Sequence, residues 1–593
     1  MTTVDFELDE SQRAVAEAPA DARLLVVAGA GQGKTEVVAS RIAYLVDEEA
    51  LSASTGIMVL SFSRAAVQAV RTRLAGRDIA TTDVRTFDSL AAYLISQSGV
   101  EPVGSFDHRV RQATKLLESD TDALDELDDL EHVILDEVQD LVGDRAEMVL
   151  ALLARLDESV GFTCLGDPLQ GIYDFTLEDS HSKRTSSEFM AELTGEFGAS
   201  VVALEKNYRA RGDFPRAVVD LGHVVRDKSR DDAAQSVTRF EYTLPHSGEV
   251  MDWGFLDDPG AGRTAVLCAT NGEVLRVSRF LTKQGISHVV RRPAQDFGAA
   301  PWIARIFEGM AGPEVARSDV EAAIEAKLDS SLQDEAWYLL KGAEGRTRTM
   351  QQLNLPRLRS LVSSGSLPLT LTEPDNAQVI VSTVHRAKGL EFDRVFFVHP
   401  NGAAADMSEW PVIRQRYVAL SRARDEVAVI DVPGQWSWFE SRDNRQRERK
   451  KSKQGKKYTF AIEFGPRDVR DTSPVPNDAE RQRAMQVELT KVRSGALVTG
   501  VFDSMSPDGV PIFVLRTASG AELGVTSDRF GNALDYEFGY RFRDGWDGVA
   551  IDGLRLVSVE TAACDPHLTE AAGLGPSGFW LVPRVLGLVT PER

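Results

Sequence analysis

The sequence predicts an α/β protein with two parallel-sheet domains, each carrying a short helical insertion, followed by a small, mostly-β C-terminal domain. Three observations predict it. Apolar runs of strand length recur with helical stretches between them, the mark of a parallel sheet covered on both faces. A second set of such runs begins near residue 264. Beyond residue 496 the pattern changes to closely spaced strands separated by turn signals.

In order along the chain, RLLVVA at 23–28, IMVLSFS at 57–63, HVILDE at 132–137, GFTCLGD at 161–167 and ASVVALE at 199–205 read as buried strands, with Arg64 to Leu74 and Ala146 to Leu156 as helices. TAVLCAT at 264–270, QVIVST at 378–383, DRVFFVH at 393–399 and EVAVIDV at 426–432 form the second set. Residues 300–375 between them look helical and polar, an inserted subdomain. A run at 118–131 is acidic. A run at 442–457 holds nine Lys or Arg without apolar periodicity and reads as a linker. LVTGVF, the turn Ser506-Pro507-Asp508-Gly509 and VPIFVLR then read as a β-hairpin. The expected layout is a first domain over 1–200 with a short insertion near 92–131, a second over 201–440, a basic linker over 441–460 and a mostly-β domain over 461–593.

Composition narrows the function classes. With 43% hydrophobic and 26% charged residues, the chain is of ordinary globular type. No apolar run reaches the roughly 20 residues that span a bilayer. The N-terminus has neither a basic start nor an apolar stretch, so a cytoplasmic protein is expected. Cys164, Cys268 and Cys564 lie far apart and the nine histidines show no close pair, which argues against a structural metal. A net charge of −23 argues against coating duplex DNA by bulk electrostatics. It leaves open a narrow channel in which a few donors and aromatic rings hold one strand. The Glu-x-Lys at Glu325-Ala326-Lys327 falls in a polar helical stretch, and no nuclease centre is expected.

The chemistry begins at Ala28-Gly29-Ala30-Gly31-Gln32-Gly33-Lys34-Thr35, between a strand and a helical pattern. Glycines let backbone N–H groups turn inward around phosphates, and the helix N-terminus favours negative charge. Lys34 reaches β/γ-phosphates in such a loop and the Thr35 hydroxyl ligates Mg²⁺. ATP and Mg²⁺ are therefore the expected cofactors. Asp136 and Glu137 end an apolar strand, where Asp136 can hold the metal through water and Glu137 can orient and deprotonate the attacking water. Alone, an Asp-Glu pair is more often a solvated strand end; the preceding loop changes that.

Further segments carry a family resemblance. Asp136-Glu137-Val138-Gln139-Asp140, Gly166 through Phe175, Asn207-Tyr208-Arg209, Thr383 through Phe392 and Tyr417 through Ala423 resemble, in order, motifs of the UvrD/Rep-like superfamily 1 helicases over residues 1 to about 435. The resemblance implies two RecA-like motor domains and assigns roles. Gln12 reads the adenine edge and Tyr208 stacks on the ring. Gly29, Ala30, Gly31, Gln32, Gly33, Lys34 and Thr35 hold the phosphates, and Gly389 and Glu391 lie at the nucleotide, Glu391 on the ribose. Gln170 senses the γ-phosphate, which Arg209 and Arg422 reach from the second domain. Phe62, Ser63, Thr86, Phe87, Phe175, Thr383 and His385 contact the strand. Each phenylalanine taken alone reads as core, and His385 alone as a structural histidine; only their place in the motifs lifts them.

The family also implies movement along single-stranded DNA, 3′→5′, with an RNA-acting relative as the alternative. A rival class is a nucleotide-gated subunit of a larger complex, with a protein partner on the C-terminal domain. Three departures matter. Both insertions are short and the first is acidic, Thr176 follows Phe175 where the family has arginine, and Val412-Ile413-Arg414 stand where acidic residues are usual. In the C-terminal domain Phe502, Phe513, Phe530, Tyr536, Phe538, Tyr540 and Phe542 read mainly as core.

Overall fold

The computed structural model describes residues 7–593 apart from 78, 80–81, 102–104, 120–123, 125–126, 179, 250–261, 293–296, 346–349, 373–376, 400–405, 432–436 and 476–477. It forms two compact units. One comprises Met1–Pro245, Lys388–Glu391 and Gly402–Val427; the other comprises His246–Ala387, Phe392–Asn401 and Ala428–Arg593.

The first unit is built on six parallel strands: β1 (Arg23–Val27), β2 (Ile57–Ser61), β3 (Asp83–Thr86), β4 (His132–Asp136), β5 (Gly161–Gly166) and β6 (Ser200–Ala203). Their order is β3-β2-β4-β5-β1-β6. Strands β2, β4 and β5 are buried throughout, which is why they read as unbroken apolar runs. One core forms against the helices Lys34–Asp47 and Arg64–Ala75, another against Phe87–Gln97, Phe106–Glu118 and Gly143–Arg155. Because every strand runs the same way, the loop after β1, Ser61, Thr86 and Asp136 share the carboxyl edge of the sheet, the position where open parallel sheets bind ligands. Of the acidic run, Leu124, Leu127 and Leu130 are buried in the second core; Asp120, Asp122, Asp125 and Glu126 lie outside the described residues.

The second unit holds β7 (His246–Glu249), β8 (Thr264–Cys268), β9 (Val289–Val290), β12 (Val379–Thr383), β13 (Phe392–Val398) and the end of β14 (Ala423–Asp431), in the order β7-β14-β13-β8-β12-β9. Between β9 and β12 lies the helical insertion, Pro301–Phe307, Arg317–Lys327, Ser330–Glu344 and Leu355–Ser363, with a two-stranded sheet of β10 (Glu314–Ala316) and β11 (Gln352–Asn354). The C-terminal domain is one antiparallel sheet of nine strands: β15 (Ser437–Arg442), β16 (Arg445–Lys451), β17 (Lys457–Phe464), β18 (Leu497–Met505), β19 (Pro511–Thr517), β20 (Glu522–Val525), β21 (Ala550–Ala563), β22 (Phe579–Val589) and β23 (Pro591–Glu592).

Several expectations change. The basic run is no linker: Arg445, Arg447 and Arg449 belong to β16, and Arg445 is clamped by both carboxylate oxygens of Asp468 at 2.6 and 2.7 Å. Ion pairs hold this strand where apolar alternation was sought. The insertion is not polar throughout; Ile303, Phe307, Trp337 and Leu358 share one apolar core with Phe464, Phe513, Leu556 and Phe579 of the C-terminal sheet. Of the C-terminal aromatics, Phe513, Phe530, Phe538 and Phe542 are buried, Phe502 packs against that core, and Tyr536 and Tyr540 are exposed. The boundary expected near residue 200 falls inside the first unit, because β6 pairs with β1 and the helices Asp213–Arg226 and Arg230–Glu241 belong there too.

Candidate nucleotide and nucleic-acid site

The loop after β1 needs its glycines. Gly31 and Gly33 adopt left-handed φ of 76° and 79°. A methyl on Gly31 would collide with the Arg209 Cβ, and one on Gly33 would stand 2.6 Å from Gln12 Nε2. No side chain caps the helix that follows at Lys34, and Thr35 is its second residue. The segment after β6 clasps the loop: Tyr208 N donates to Gly31 O at 2.8 Å and Asn207 Nδ2 to Ala30 O at 2.6 Å. Gln12 donates to Gln32 O at 3.1 Å, while the Tyr208 hydroxyl donates to Asp9 at 2.8 Å and Gln12 at 3.4 Å. Tyr208 keeps 44% exposure beside this pair, a ring free to stack. Gln32 turns inward, its amide joining Gly29 N to Glu205 O, so its side chain shapes the loop.

Asp136 and Glu137 follow where β4 ends. Asp136 is buried and accepts from Ser61 Oγ at 3.4 Å and from Glu137 N at 3.0 Å. Glu137 sits at φ 58°, a left-handed conformation uncommon outside glycine, which turns its carboxylate toward Lys34 Nζ at 3.3 Å. Burial raises the Asp136 pKa and the adjacent Glu137 carboxylate adds to it. For Glu137 burial acts upward too, but the Lys34 and Lys388 ammoniums overcome it and hold the carboxyl low. One carboxylate is thus kept ionised beside another whose charge invites a cation.

Around this pair runs a connected set of polar groups. Gln139 bonds Glu137 through its amide nitrogen and accepts from Asp167 N at 3.0 Å through its oxygen. Asp167, fully buried, takes Gln170 Nε2 at 2.9 Å and Arg226 at 3.2 Å. Gln170 Oε1 in turn accepts from Arg422 at 3.0 Å. Arg209 pairs with Glu391 at 2.6 Å, while its Nε and Nη1 are buried without an acceptor among the described residues. Orphaned guanidinium donors beside a glycine loop fit a phosphoryl group. Burial, then the nearby Arg209, lowers Arg422 to about 10. Arg209, Arg422 and Glu391 all lie in the same compact unit as Lys34, Asp136 and Glu137, where the sequence reading drew them from a second domain. The helix Trp410–Leu420 packs on the turn Pro168–Gln170 and on Arg230–Glu241, which carries Arg422 into that unit. Gly389, at φ 78°, lies in the same returning segment.

Lys388, Asp140 and Arg226 were not singled out in the sequence. Lys388 is buried, ion-paired with Asp140, and donates to Gln170 O at 2.6 Å. Both partners fall within quoted motifs, which is the signal that could have found them. Arg226, on a helix outside those motifs, had none. Its guanidinium reaches Asp167, and a methyl on Gly29 would stand 2.8 Å from it.

Of the strand-contact candidates, Phe62 stacks on Tyr173 at 5.3 Å and 22°, and Tyr173 meets Phe175 at 6.2 Å. Phe175 is 56% exposed. Tyr173, missed in the sequence, centres this row, with Lys388 Nζ 5.0 Å from its ring. Ser63 and Thr86 cap the helices that follow them, accepting from Ala66 N at 3.1 Å and Ser89 N at 3.2 Å. Phe87 is 1% exposed and packs in the core, so its ring is no platform. Thr383 and His385 belong to the second unit, Thr383 buried at the end of β12 and accepting from Arg386 N at 3.3 Å. Arg414, one of the departures, binds Asp174 at 3.1 Å and Gly171 O at 3.3 Å, bracing the turn that bears the aromatic row.

The UvrD/REP helicase N-terminal domain family matches residues 8–104, and the UvrD-like helicase C-terminal domain family matches 378–430. The proteins named ATP-dependent DNA helicase UvrD2 of Mycobacterium bovis and Mycobacterium tuberculosis are 26% identical over 424 residues, 64% of this chain and 56% of theirs. The chain thus spans just over half the length of these curated relatives. Among solved structures, the Pif1 helicase from Candida albicans aligns at TM-score 0.37 and 16% identity, over 72% of this chain and 95% of that one. Unliganded Pif1 from Bacteroides sp aligns at TM-score 0.33 and 14% identity, over 72% and 92%. One family match covers the phosphate loop and the other covers Gly389, Glu391 and Arg422, so that over these segments the chain is similar to the UvrD/Rep-like superfamily 1 helicases.

Proposed function

We propose that this chain is an ATP-dependent motor on single-stranded DNA, moving 3′→5′ as the family it resembles does, in the cytoplasm, in repair, recombination or phage defence. One observation carries the reading. Lys388 bonds both Asp140 and the backbone of Gln170 and lies over Tyr173, which stacks on Phe62. One side chain thus touches both the groups assigned here to γ-phosphate sensing and the aromatic row, a direct route by which the two sites can be coupled. When bound, ATP supplies the phosphoanhydride to be cleaved and Mg²⁺ the counter-charge at the leaving oxygens.

This chain's residues do the rest. Tyr208 and Gln12 orient the base, and the loop from Gly29 to Lys34 orients the phosphates. Thr35 and Asp136 would hold the metal. Glu137 positions the attacking water and takes its proton, for which its ionised state is required. Arg209, with two unspent donors, and Arg422 stabilise charge on the transferred group. Phe62, Tyr173 and Phe175 stack bases, with Ser63 and Thr86 beside them at the same sheet edge. Thr383 and His385 are the strand contacts assigned to the second unit by itself.

The test is steady-state ATP hydrolysis without nucleic acid and with single-stranded DNA, duplex DNA or single-stranded RNA, with Lys34→Ala as the blank. Stimulation by single-stranded DNA is expected. Turnover indifferent to all of them overturns the motor and points to a nucleotide-gated subunit acting through a protein partner; stimulation by RNA alone overturns the DNA assignment.

A further inference from the structure

The C-terminal sheet ends in a three-stranded ribbon, β15–β16–β17, with β15 at the edge. Its two faces differ. On one, Phe439 and Phe460 lie against the helix Asn271–Lys283, under Arg276 at 4.9 Å and Arg279 at 5.6 Å. On the other, register puts Trp438 opposite Arg449 and Lys451 opposite Lys457, so that Trp438, Lys451 and Lys457 share a face. Lys457 Nζ lies 5.5 Å from the Trp438 ring. At the end of the ribbon nearest residue 443, Tyr536 stands 67% exposed with Arg442 over it at 5.1 Å. At the opposite end, Lys451, Lys453, Lys456 and Lys457 are all exposed, and none makes an ion pair among the described residues. The carboxylates facing this surface are already engaged: Glu440 holds Trp438 Nε1 at 2.9 Å and Arg449 at 3.4 Å, and Glu537 holds Arg447 and Thr459. Asp443 stands at the turn, 3.6 Å from Arg442.

On a chain of net charge −23, a patch of four lysines without an ion pair among the described residues, beside the rings of Trp438 and Tyr536, is complementary to a phosphodiester backbone with splayed bases. The helix Asp528–Phe538 covers the middle of this face, where Arg447 and Thr459 are buried against Glu537. We propose that the accessible rim, from the lysine turn past Trp438 to Tyr536, is a second nucleic-acid contact, outside the motor core, which takes a single strand: the lysines hold phosphates while Trp438 and Tyr536 stack bases. The inference rests on the reading of the chain as a nucleic-acid motor. A ribbon of seven residues is roughly 20 Å long, enough for about four nucleotides.

The experiment compares the full chain with Lys451→Gln/Lys453→Gln/Lys456→Gln/Lys457→Gln and, separately, with Trp438→Ala. Affinity for a labelled single strand is measured across salt, alongside ATP turnover. The quadruple variant is expected to lower the log–log salt slope by about 3, at about 0.7 for each phosphate no longer neutralised. The half-stimulating DNA concentration should rise at least about tenfold at low salt, while turnover at saturating DNA stays unchanged. Trp438→Ala is expected to weaken binding without changing the slope. An unchanged slope in the quadruple variant overturns the inference, as does a weakening confined to duplex DNA. If no nucleic acid stimulates the unaltered chain, it is the motor reading that fails.

Discussion

Lys388→Met tests the connection between the phosphate sensors and the aromatic row. Lys388 and Asp140 are 6% and 5% exposed, so the substitution leaves a carboxylate buried without its cation. Removing one partner of a buried pair costs about 3–5 kcal/mol. Burial raises Asp140 to about 6 even with Lys388 opposing it, and loss of the lysine raises it further. A carboxyl whose folded pKa lies above its unfolded value binds protons more tightly when folded. The damage is therefore greatest near pH 8 and shrinks as pH falls through the folded pKa. Lys388→Met/Asp140→Leu removes the unpaired charge and should recover most of the stability. It should not recover coupling, because the bond to Gln170 O and the cation over Tyr173 are both gone. Hydrogen exchange of the first unit reads the local stability without a two-state assumption, and ATP turnover with and without single-stranded DNA reads the coupling. A fall of about 2- to 30-fold in stimulation is expected in both variants. A stability loss under about 1 kcal/mol at pH 8, or full stimulation in the double variant, would refute the reasoning.

Glu137→Gln and Arg422→Ala should each abolish turnover while leaving the fold and ATP binding measurable; wild-type turnover in either variant defeats its assigned role. Tyr173→Ala should weaken single-strand affinity by about 1–3 kcal/mol, whereas Phe87→Ala should leave affinity intact and cost about 3–5 kcal/mol of stability, and the reverse pattern would exchange their roles. Burial, then the nearby Arg41, lowers His132 to about 3, and burial, then Arg555, does the same for His288. Both bind fewer protons folded than unfolded, so stability falls as pH drops below about 6.5, by about 2 kcal/mol per histidine at pH 5; an acid-unfolding profile unchanged in His132→Gln/His288→Gln excludes them as the cause.

The parallel sheets and the nucleotide loop were legible because their signals are local. A fully buried strand reads as an apolar run, and Gly31 and Gly33 are demanded by backbone angles within a few residues. Strand pairing is not local. β16 was unreadable because Arg445 and Arg447 buy their burial with Asp468 and Glu537, partners far along the chain or in another element. Phe87 and Phe62 look alike in sequence; one opens a helix pointing into the core and the other stacks on Tyr173. Arg226 has no motif around it, and only the helix that carries it brings it to Asp167. The departures at 412–414 acquired a meaning only once Arg414 was seen holding Asp174.

The apolar core shared by the helical insertion and the C-terminal sheet sets a timetable for synthesis. Trp302, Phe307 and Trp337 leave the ribosome long before Phe579 and Leu581, the strand residues that cover them, have been made. At about 5–20 residues per second, the interval is roughly 10–50 s. Throughout it the nascent chain presents a greasy surface with no intramolecular cover, a natural client for a holding chaperone. The same dependence makes a truncation that removes the C-terminal sheet a poor control for what that sheet does. Such a fragment would expose the insertion's inner face permanently, and its behaviour would report on aggregation before it reported on function.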